Sequence, residues 1–124
     1  MYSVLISLAS NAQQEEHLAE ARKALAAILH EERYTAEIWT EPEGKAKGTS
    51  APYLNQLVSA STSLGADELN DFLKTIERQL GRTPEMRLVG TVPIDLDLLQ
   101  WDGQRFHQRD WERNYMRQLL ELLQ

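Results

Sequence analysis

The stretch "YLNQLVSASTSLGADELNDFLKTIERQLGR", residues 53–82, decides the fold because it joins a strand to the clearest helix of the chain. Its first ten residues, from Tyr53, are interpreted as a strand. Behind them, apolar residues recur at i, i+3, i+4, i+7 and i+11, which predicts an amphipathic helix. Gly81 fits the C-terminal stop of this helix, because glycine adopts the left-handed conformation there at little cost. The apolar stripe consists of Leu69, Phe72, Leu73, Ile76 and Leu80.

Upstream of this unit, the periodicity switches between that of a strand and that of a helix. Residues 2–8 alternate and predict a first strand. Asn11 stands where an N-cap is expected, with Gln14 three residues later, close to a capping box. The apolar spacing behind it predicts a helix to about His30. Residues 33–40 alternate again and predict a second strand.

Two irregular segments separate the regular elements. Residues 41–52, "EPEGKAKGTSAP", contain two prolines and two glycines and predict a long mobile loop. Residues 82–93, "RTPEMRLVGTVP", predict a second one.

The C-terminal part predicts one more strand and one more helix. In "VPIDLDLLQW", residues 92–101, Ile94, Leu96 and Leu98 share one face of a strand. Asp95, Asp97, Leu99 and Trp101 take the other face. The tail from Asp110 to Leu123 predicts a helix with one apolar stripe, made of Trp111, Tyr115, Leu119 and Leu122.

The predicted order of elements is β-α-β-β-α-β-α. Its first six elements match the ferredoxin-like arrangement, an antiparallel sheet with helices packed on it. We therefore expect an α+β fold with an extra C-terminal helix, in a single domain over residues 1–124.

Composition excludes several classes of function. The net charge of -6 argues against a nucleic-acid partner, because such partners need a basic face. The absence of cysteine from the sequence excludes disulfides and thiolate–metal sites. The apolar N-terminus is too short to span a membrane and lacks the basic start of a signal peptide. We expect a cytoplasmic protein with no membrane partner.

The two aspartates on one strand face are the unusual feature of the sequence. Asp95 and Asp97 are two residues apart, so their Cα atoms lie about 6.6 Å apart on the same face. Two carboxylates at that spacing repel each other unless a cation lies between them or one pKa rises. Magnesium suits such a pair, because it prefers oxygen ligands and needs few from the protein. The alternative is a solvated sheet face with two ordinary surface aspartates.

The motifs along the chain resemble, in order, those of the 6-hydroxymethyl-7,8-dihydropterin pyrophosphokinases of folate biosynthesis. "LASN" at residues 8–11 is similar to the family's L-G-S-N, and "TEPEG" at residues 40–44 resembles its T-x-P-x-G. Residues 53–82 are similar to its strand with an aromatic residue, Leu and Asn and to its helix that ends in I-E-x-x-x-G-R. "PIDLDLL" carries its D-L-D. The resemblance extends from the first strand to Trp101, about four fifths of the chain.

The resemblance implies an enzyme that moves the β,γ-pyrophosphoryl unit of ATP to the hydroxymethyl group of a reduced pterin. Two Mg²⁺ ions would be held by Asp95 and Asp97, and the partners would be the small molecules ATP and pterin. The residues implied to contact the pterin are Thr40, Pro42, Tyr53, Asn55 and Tyr115. Those implied to contact the nucleotide are Lys74, Glu77, Arg82, Leu98 and Arg113, and those implied to carry the chemistry are Asp95, Asp97 and Arg82.

Each of these residues also has a structural interpretation. Tyr53 is also interpreted as a core or edge aromatic residue, and Asn55 as the source of a hydrogen bond at the start of a strand. Glu77 also suits a solvated helix charge. Arg82 suits a cation at a helix C-terminus, where the helix dipole favours it. Tyr115 lies on the apolar stripe of the last helix.

The chain departs from the family pattern in the second loop. Where the family reads W-G-P-R-T, this chain reads "VGTVP". Val92 therefore takes the place of a catalytic arginine, and Val89 that of a tryptophan that closes over the pterin. Arg87 and His107 are candidates to replace missing family residues. A positioned arginine of this kind can contribute about 10³ or more in rate.

Three functions follow from these observations. The first is a pyrophosphokinase that depends on ATP and magnesium. The second is a non-catalytic module that keeps a pterin or nucleotide pocket and works beside another folate-pathway protein. The third is an interaction domain that uses the leucine-rich last helix as its contact surface.

Overall fold

A computed structural model describes residues 1–42 and 51–123, so most of the predicted mobile loop lies outside the described residues. The described strands are β1 (Tyr2–Ser10), β2 (His30–Tyr34), β3 (Ile38–Thr40), β4 (Tyr53–Thr62), β5 (Asp95–Trp101) and β6 (Gln104–Arg105). The described helices are α1 (Gln14–Leu25), α2 (Ala66–Gln79), a 3-10 helix (Pro84–Val89), α3 (Gln108–Trp111) and α4 (Asn114–Leu122). None of the helices in these two ranges has the length and apolar character needed to cross a membrane.

The strands form one antiparallel sheet with β1 at its centre. The order is β2-β4-β1-β5-β6, and β3 pairs with β4 beyond the end of β2. Helices α1 and α2 connect β1 to β2 and β4 to β5, and both pack on the same face of the sheet. The predicted ferredoxin-like α+β fold is confirmed, with α4 as the extra C-terminal helix on the opposite face.

The larger core lies between the sheet and helices α1 and α2. Alternate residues of the three central strands point into it, as the period-two patterns predict. The predicted stripe of α2 packs there, except that Phe72 is 36% exposed. Gly81, with φ of 100°, stands just past the end of α2, where the sequence predicts the helix stop. The buried members from the strands and α2 are Val4, Ile6, Leu8, Leu54, Val58, Ala60, Leu69, Leu73, Ile76, Leu96 and Leu98.

A smaller core lies between α4 and the opposite face of the sheet. Leu5, Leu57 and Leu99 come from the strands, and Met116 and Leu119 come from α4. The predicted single helix from residue 110 to 123 is wrong, because Glu112 and Arg113 separate α3 from α4. At the end of α4, Leu122 is 50% exposed, whereas Met116, which the predicted stripe omits, is buried.

Three further boundaries differ from the predictions. Helix α1 ends at Leu25 rather than near His30, which begins β2. The predicted strand 33–40 is interrupted at Thr35, whose hydroxyl accepts a hydrogen bond from the Leu57 amide at 3.1 Å. The Asn11 capping box is also wrong. Gln13, in the left-handed conformation with φ of 45°, precedes α1, and the side chain of Asn11 binds elsewhere.

A bulge in β5 reverses the predicted direction of Trp101. Ile6 of β1 faces Leu98, but Leu5 faces Gln100, so Leu99 is the extra residue of β5 at this point. Trp101 therefore lies on the face of the larger core rather than on that of the aspartates. Its indole Nε1 donates a hydrogen bond to the Leu64 carbonyl at 3.1 Å.

The two leucines of α4 provide a test of its packing. We expect Leu119→Ala to lower the free energy of unfolding by about 2–4 kcal/mol, because it opens a cavity under the helix. Leu122→Ala, a matched truncation on the exposed side, should lower it by about 0.5 kcal/mol or less. Urea denaturation measures both values. Equal losses for the two variants would show that α4 does not pack through Leu119.

Candidate functional site

The face of the sheet that α4 covers is left open beyond this helix, because the side chains of β1 become small there. On β1, Leu5 lies under α4, but the next residues on that face are Ser7 and Ala9. The resulting cavity has a volume of about 290 Å³. It is lined by Ser7, Leu8, Ala9, Thr40, Glu41, Pro42, Tyr53, Asn55, Gln56, Asp95, Asp97, Asp110, Arg113, Tyr115, Met116 and Leu119. We call it the sheet cavity.

Asp95 and Asp97 line this cavity next to the small residues of β1. Asp95 stands opposite Ala9 in the register, and Asp97 stands opposite Ser7. Ala9 in turn faces Asn55 of β4, so Asp95 and Asn55 flank it on either side. The strand pleat thus directs both carboxylates to the same open face, as the sequence predicts.

Each aspartate also contacts a cation of the protein. Arg82 Nη1 lies 3.0 Å from Asp95 Oδ1, and Lys74 Nζ lies 3.6 Å from Asp97 Oδ1. His107 Nε2 is 3.8 Å from the same Asp97 oxygen. Burial, followed by the charge of Asp95, raises the pKa of Asp97 from 3.8 to about 6, although Lys74 and His107 act to lower it.

Glu77 holds these cations against the sheet. Its side chain is buried, and its Oε2 accepts a hydrogen bond from the Leu96 amide at 2.7 Å. The same oxygen is 3.1 Å from Lys74 Nζ, and Oε1 is 3.3 Å from Arg82 Nη1. The interpretation of Glu77 as a solvated helix charge is therefore wrong, because Glu77 is only 5% exposed.

A second cavity, of about 460 Å³, opens on the other side of these cations. We call it the helix cavity, because α2 forms one wall. Four of its lining residues, Lys74, Arg78, Arg82 and Arg87, are basic, and Glu77 is its acidic residue. Thr83, Pro84, Thr91 and Val92 complete the lining. Within residues 1–42 and 51–123, no three acidic or histidine side chains converge closely enough to hold a metal ion.

Asn11 anchors the segment that borders the helix cavity. Its side chain donates to the Gly90 carbonyl at 2.7 Å and accepts from the Val92 amide at 2.6 Å. Its main-chain amide donates to the Val92 carbonyl at 3.0 Å. The 3-10 helix before this anchor buries no residue, and Leu88 and Val89 are 88% and 73% exposed.

On the far wall of the sheet cavity, Asn55 binds β3 to β4. Its Nδ2 donates to Thr40 Oγ1 at 2.9 Å and to the Ile38 carbonyl at 3.2 Å. The Tyr53 hydroxyl is held in its protonated form, because burial and then the nearby charge of Asp95 raise its pKa above the usual value. Polar groups from two strands therefore converge beside the aspartates.

Comparisons with known proteins show the family to which the chain belongs. The family model described as 7,8-dihydro-6-hydroxymethylpterin-pyrophosphokinase (HPPK) matches residues 5–124. The chain belongs to the HPPK family. The resemblance inferred from the motifs is thus confirmed at the level of the family.

Individual relatives have longer chains. The "Folate synthesis bifunctional protein, mitochondrial" of Pisum sativum is 37% identical over 132 residues, which cover 97% of this chain and 25% of that protein. A "Folate synthesis bifunctional protein" of Chlamydia trachomatis is 32% identical over 108 residues, covering 83% of this chain and 24% of that protein. The chain spans about a quarter of the length of these relatives. The cytoplasmic location expected from the sequence stays a prediction.

The residues that the HPPK resemblance implies fall into the two cavities, with one exception. The sheet cavity contains Thr40, Pro42, Tyr53, Asn55, Asp95, Asp97, Arg113 and Tyr115, and the helix cavity contains Lys74, Glu77 and Arg82. Leu98 is the exception. Its side chain is 3% exposed and packs in the larger core, so it lines neither cavity.

Sequence reasoning missed Asn11 and Asp110. Asn11 acts across 79 residues on the Gly90 carbonyl, a partner that no local pattern reveals. Asp110 lines the sheet cavity and lies 3.1 Å from Arg113 Nε. The i,i+3 spacing of this acid and base is a signal that the sequence does contain.

Glu77 should contribute to stability through the Leu96 amide and the two cations. We expect Glu77→Ala to lower the free energy of unfolding by about 3 kcal/mol, because it leaves the buried Leu96 amide without its acceptor and removes one partner from each of the two cations. Glu77→Gln keeps a neutral acceptor and should lose roughly half as much. Asp71→Ala, at an exposed position of α2, is the control and should change little in urea denaturation. A loss from Glu77→Ala no greater than that from Asp71→Ala would contradict this role.

The raised pKa of Asp97 predicts a pH-dependent stability in metal-free buffer. The folded state binds this proton more tightly than the unfolded state, so the contribution of Asp97 to stability falls as the pH rises from about 4 to about 6. We expect Asp97→Asn to raise the free energy of unfolding by about 3 kcal/mol at pH 8 in EDTA, but by only about 1 kcal/mol at pH 4.5. Asp71→Asn, again the exposed control, should show no such difference between the two pH values. A gain for Asp97→Asn that is the same at both pH values would contradict the prediction.

Proposed function

We propose that the protein transfers the β,γ-pyrophosphoryl unit of ATP to 6-hydroxymethyl-7,8-dihydropterin, with AMP as the second product, in folate biosynthesis. Family membership supports the reaction class. The observation that carries the proposal is the position of Asp95 and Asp97 in the sheet cavity, with Arg82 and Lys74 of the adjoining helix cavity beside them. In this arrangement a flat polar substrate and a polyphosphate can meet at one acidic pair.

The donor set of the acidic pair fits magnesium. Both side chains offer carboxylate oxygens from one face of a strand, in a cavity wide enough to admit water and phosphate as further ligands. Asp95 and Asp97 would hold two Mg²⁺ ions, which would neutralise phosphate charge and bracket the transferring group. A donor set limited to oxygen atoms disfavours zinc, which prefers nitrogen and sulfur.

The sheet cavity would bind and orient the pterin. Thr40, Pro42 and Asn55 form its wall at β3 and β4, where the Asn55–Thr40 hydrogen bond fixes the position of the amide. Tyr53 and Tyr115 supply aromatic surface for the flat ring. In this arrangement the hydroxymethyl group of the substrate would approach the aspartates, and orientation rather than covalent chemistry would supply most of the rate.

The helix cavity would bind the nucleotide. Arg82, Lys74 and Arg87 provide positive charge for the phosphates, and Glu77 positions the first two. Arg87 is the side chain best situated to supply charge that Val92 does not, because both residues line this cavity. Arg113 would approach the phosphates from the sheet cavity, and Leu98 would contribute through its main chain. The exposed Leu88 and Val89 would cover the bound substrates when the 3-10 helix moves inwards.

A non-catalytic binding module is the second candidate, because Val92 lines the helix cavity where the family pattern has an arginine. In that case the pocket would bind a pterin or nucleotide without turnover, beside another protein of the folate pathway. The names of the relatives, which describe bifunctional folate-synthesis proteins, support a partner from that pathway.

An AMP-release assay distinguishes the two candidates. We expect the protein, mixed with ATP, Mg²⁺ and 6-hydroxymethyl-7,8-dihydropterin, to release AMP only when all three are present. Asp95→Asn should reduce kcat by about 10² or more, because it removes a ligand that acts on the transferring charge. Asp71→Asn should keep wild-type activity.

The alternative outcome is equally specific. Absence of AMP release together with Mg²⁺-dependent binding of nucleotide or pterin in calorimetry would refute the transferase and support the binding module. Absence of both release and binding would refute both candidates.

A further inference from the structure

Lys74 stands on the boundary between the two cavities. Its side chain extends from α2 and lines the helix cavity, but its ammonium lies 3.6 Å from Asp97, which lines the sheet cavity. The same nitrogen is 3.1 Å from Glu77 Oε2 and donates to the Leu96 carbonyl at 3.1 Å. A single positive charge is therefore placed against the carboxylate that would bind metal.

The two cross-boundary ion pairs differ in strength. Arg82 Nη1 hydrogen-bonds Asp95 Oδ1 at 3.0 Å and also the Ile94 carbonyl at 3.1 Å. Lys74 and Asp97, at 3.6 Å, form the looser pair, and a lysine side chain is more flexible than the planar guanidinium. Lys74 is therefore the cation that can leave its aspartate more readily.

Charge competition at Asp97 follows from this geometry. A divalent cation on the aspartate pair is repelled by an ammonium a few ångströms away. An anionic polyphosphate in the helix cavity attracts the same ammonium, since Lys74 lines that cavity. A polyphosphate in the helix cavity therefore favours binding of a divalent cation at the aspartate pair, and the cation favours binding of the polyphosphate to the same extent.

We propose that Lys74 is the intrinsic counter-cation of Asp97 in the aspartate pair, and that it weakens divalent-cation binding there until a polyphosphate in the helix cavity attracts its ammonium. The inference rests on the proposed function, because it takes the two aspartates as the metal ligands. Its consequence is a site that binds metal poorly without nucleotide and well with it. Lys74 thus makes binding of the metal depend on binding of the nucleotide.

Calorimetric titration with Mg²⁺ of the nucleotide-free protein tests the first half of the proposal. We expect Lys74→Gln to bind Mg²⁺ about tenfold more tightly than the wild type, because the competing charge is gone. Lys74→Arg keeps the charge and should bind Mg²⁺ as the wild type does. Lys23→Gln removes an exposed cation of α1, whose Nζ lies 4.0 Å from Glu20 Oε1 and which lines neither cavity, and should leave the affinity unchanged.

Titration with α,β-methylene ATP in EDTA tests the second half. Lys74→Gln should bind this metal-free nucleotide several-fold more weakly than the wild type, whereas Lys74→Arg should bind it normally. A merely structural role for Lys74 would weaken both the Mg²⁺ and the nucleotide affinity, so the opposite directions are diagnostic. Circular dichroism and urea denaturation verify that the variants are folded.

The proposal is overturned if Lys74→Gln binds Mg²⁺ no more tightly than the wild type, or if neither protein binds it. It is also overturned if the metal-free nucleotide binds equally well to both. The AMP assay is independent of these titrations. AMP release by the wild type, with an unchanged Mg²⁺ affinity in Lys74→Gln, would refute the role of Lys74 alone. Absence of AMP release, with a tighter Mg²⁺ affinity in Lys74→Gln, would refute the proposed transferase alone.

Discussion

The buried carboxylate of Glu77 is the contact on which the site depends. It joins α2 to β5 through the Leu96 amide, and the residue that donates this hydrogen bond lies between the two aspartates in the chain. A buried acid costs desolvation energy unless it is paired and hydrogen-bonded, and here one carboxylate meets two cations and one amide. The contact therefore fixes the position of β5 and also holds Lys74 and Arg82 next to Asp97 and Asp95.

The helices cover the two faces of the sheet to different extents. One face is covered by α1 and α2 and forms the larger core, while α4 covers only part of the other. The uncovered part begins where β1 changes from Leu5 to Ser7 and Ala9. Because a strand alternates its side chains, the residues that flank the aspartates pack in the core, and the aspartates themselves face the cavity. Rigid support and open access thus come from successive residues of one strand.

Charge is distributed unequally between the two cavities. The sheet cavity contains four acids, Glu41, Asp95, Asp97 and Asp110, and one basic residue, Arg113, whereas the helix cavity contains four basic residues and one acid. This separation explains how a chain of net charge -6 can offer a site to a polyphosphate. The loss of an arginine at Val92 removes one charge from the helix cavity, but Lys74, Arg78, Arg82 and Arg87 keep it basic.

Local sequence patterns were sufficient to predict those features that depend only on which side of a single helix or strand is buried. The alternation of β1, the stripe of α2, the stop at Gly81 and the shared face of Asp95 and Asp97 were all predictable, because each depends on residues a few positions apart. The order of these elements also predicted the ferredoxin-like sheet. Family motifs, which are spread along the chain, indicated some of the residues that line each cavity, but also Leu98, which lines neither.

Tertiary structure alone decided the features that depend on partners distant in the sequence. The β5 bulge that redirects Trp101 arises from pairing with β1, and the hydrogen bonds of Asn11 reach residues 90 and 92. The burial of Glu77 depends on where β5 lies against α2, which helical spacing cannot specify. Periodicity records only which side of an element faces the core. The contacts between elements, and therefore the ion pairs at the aspartates, were determined by packing.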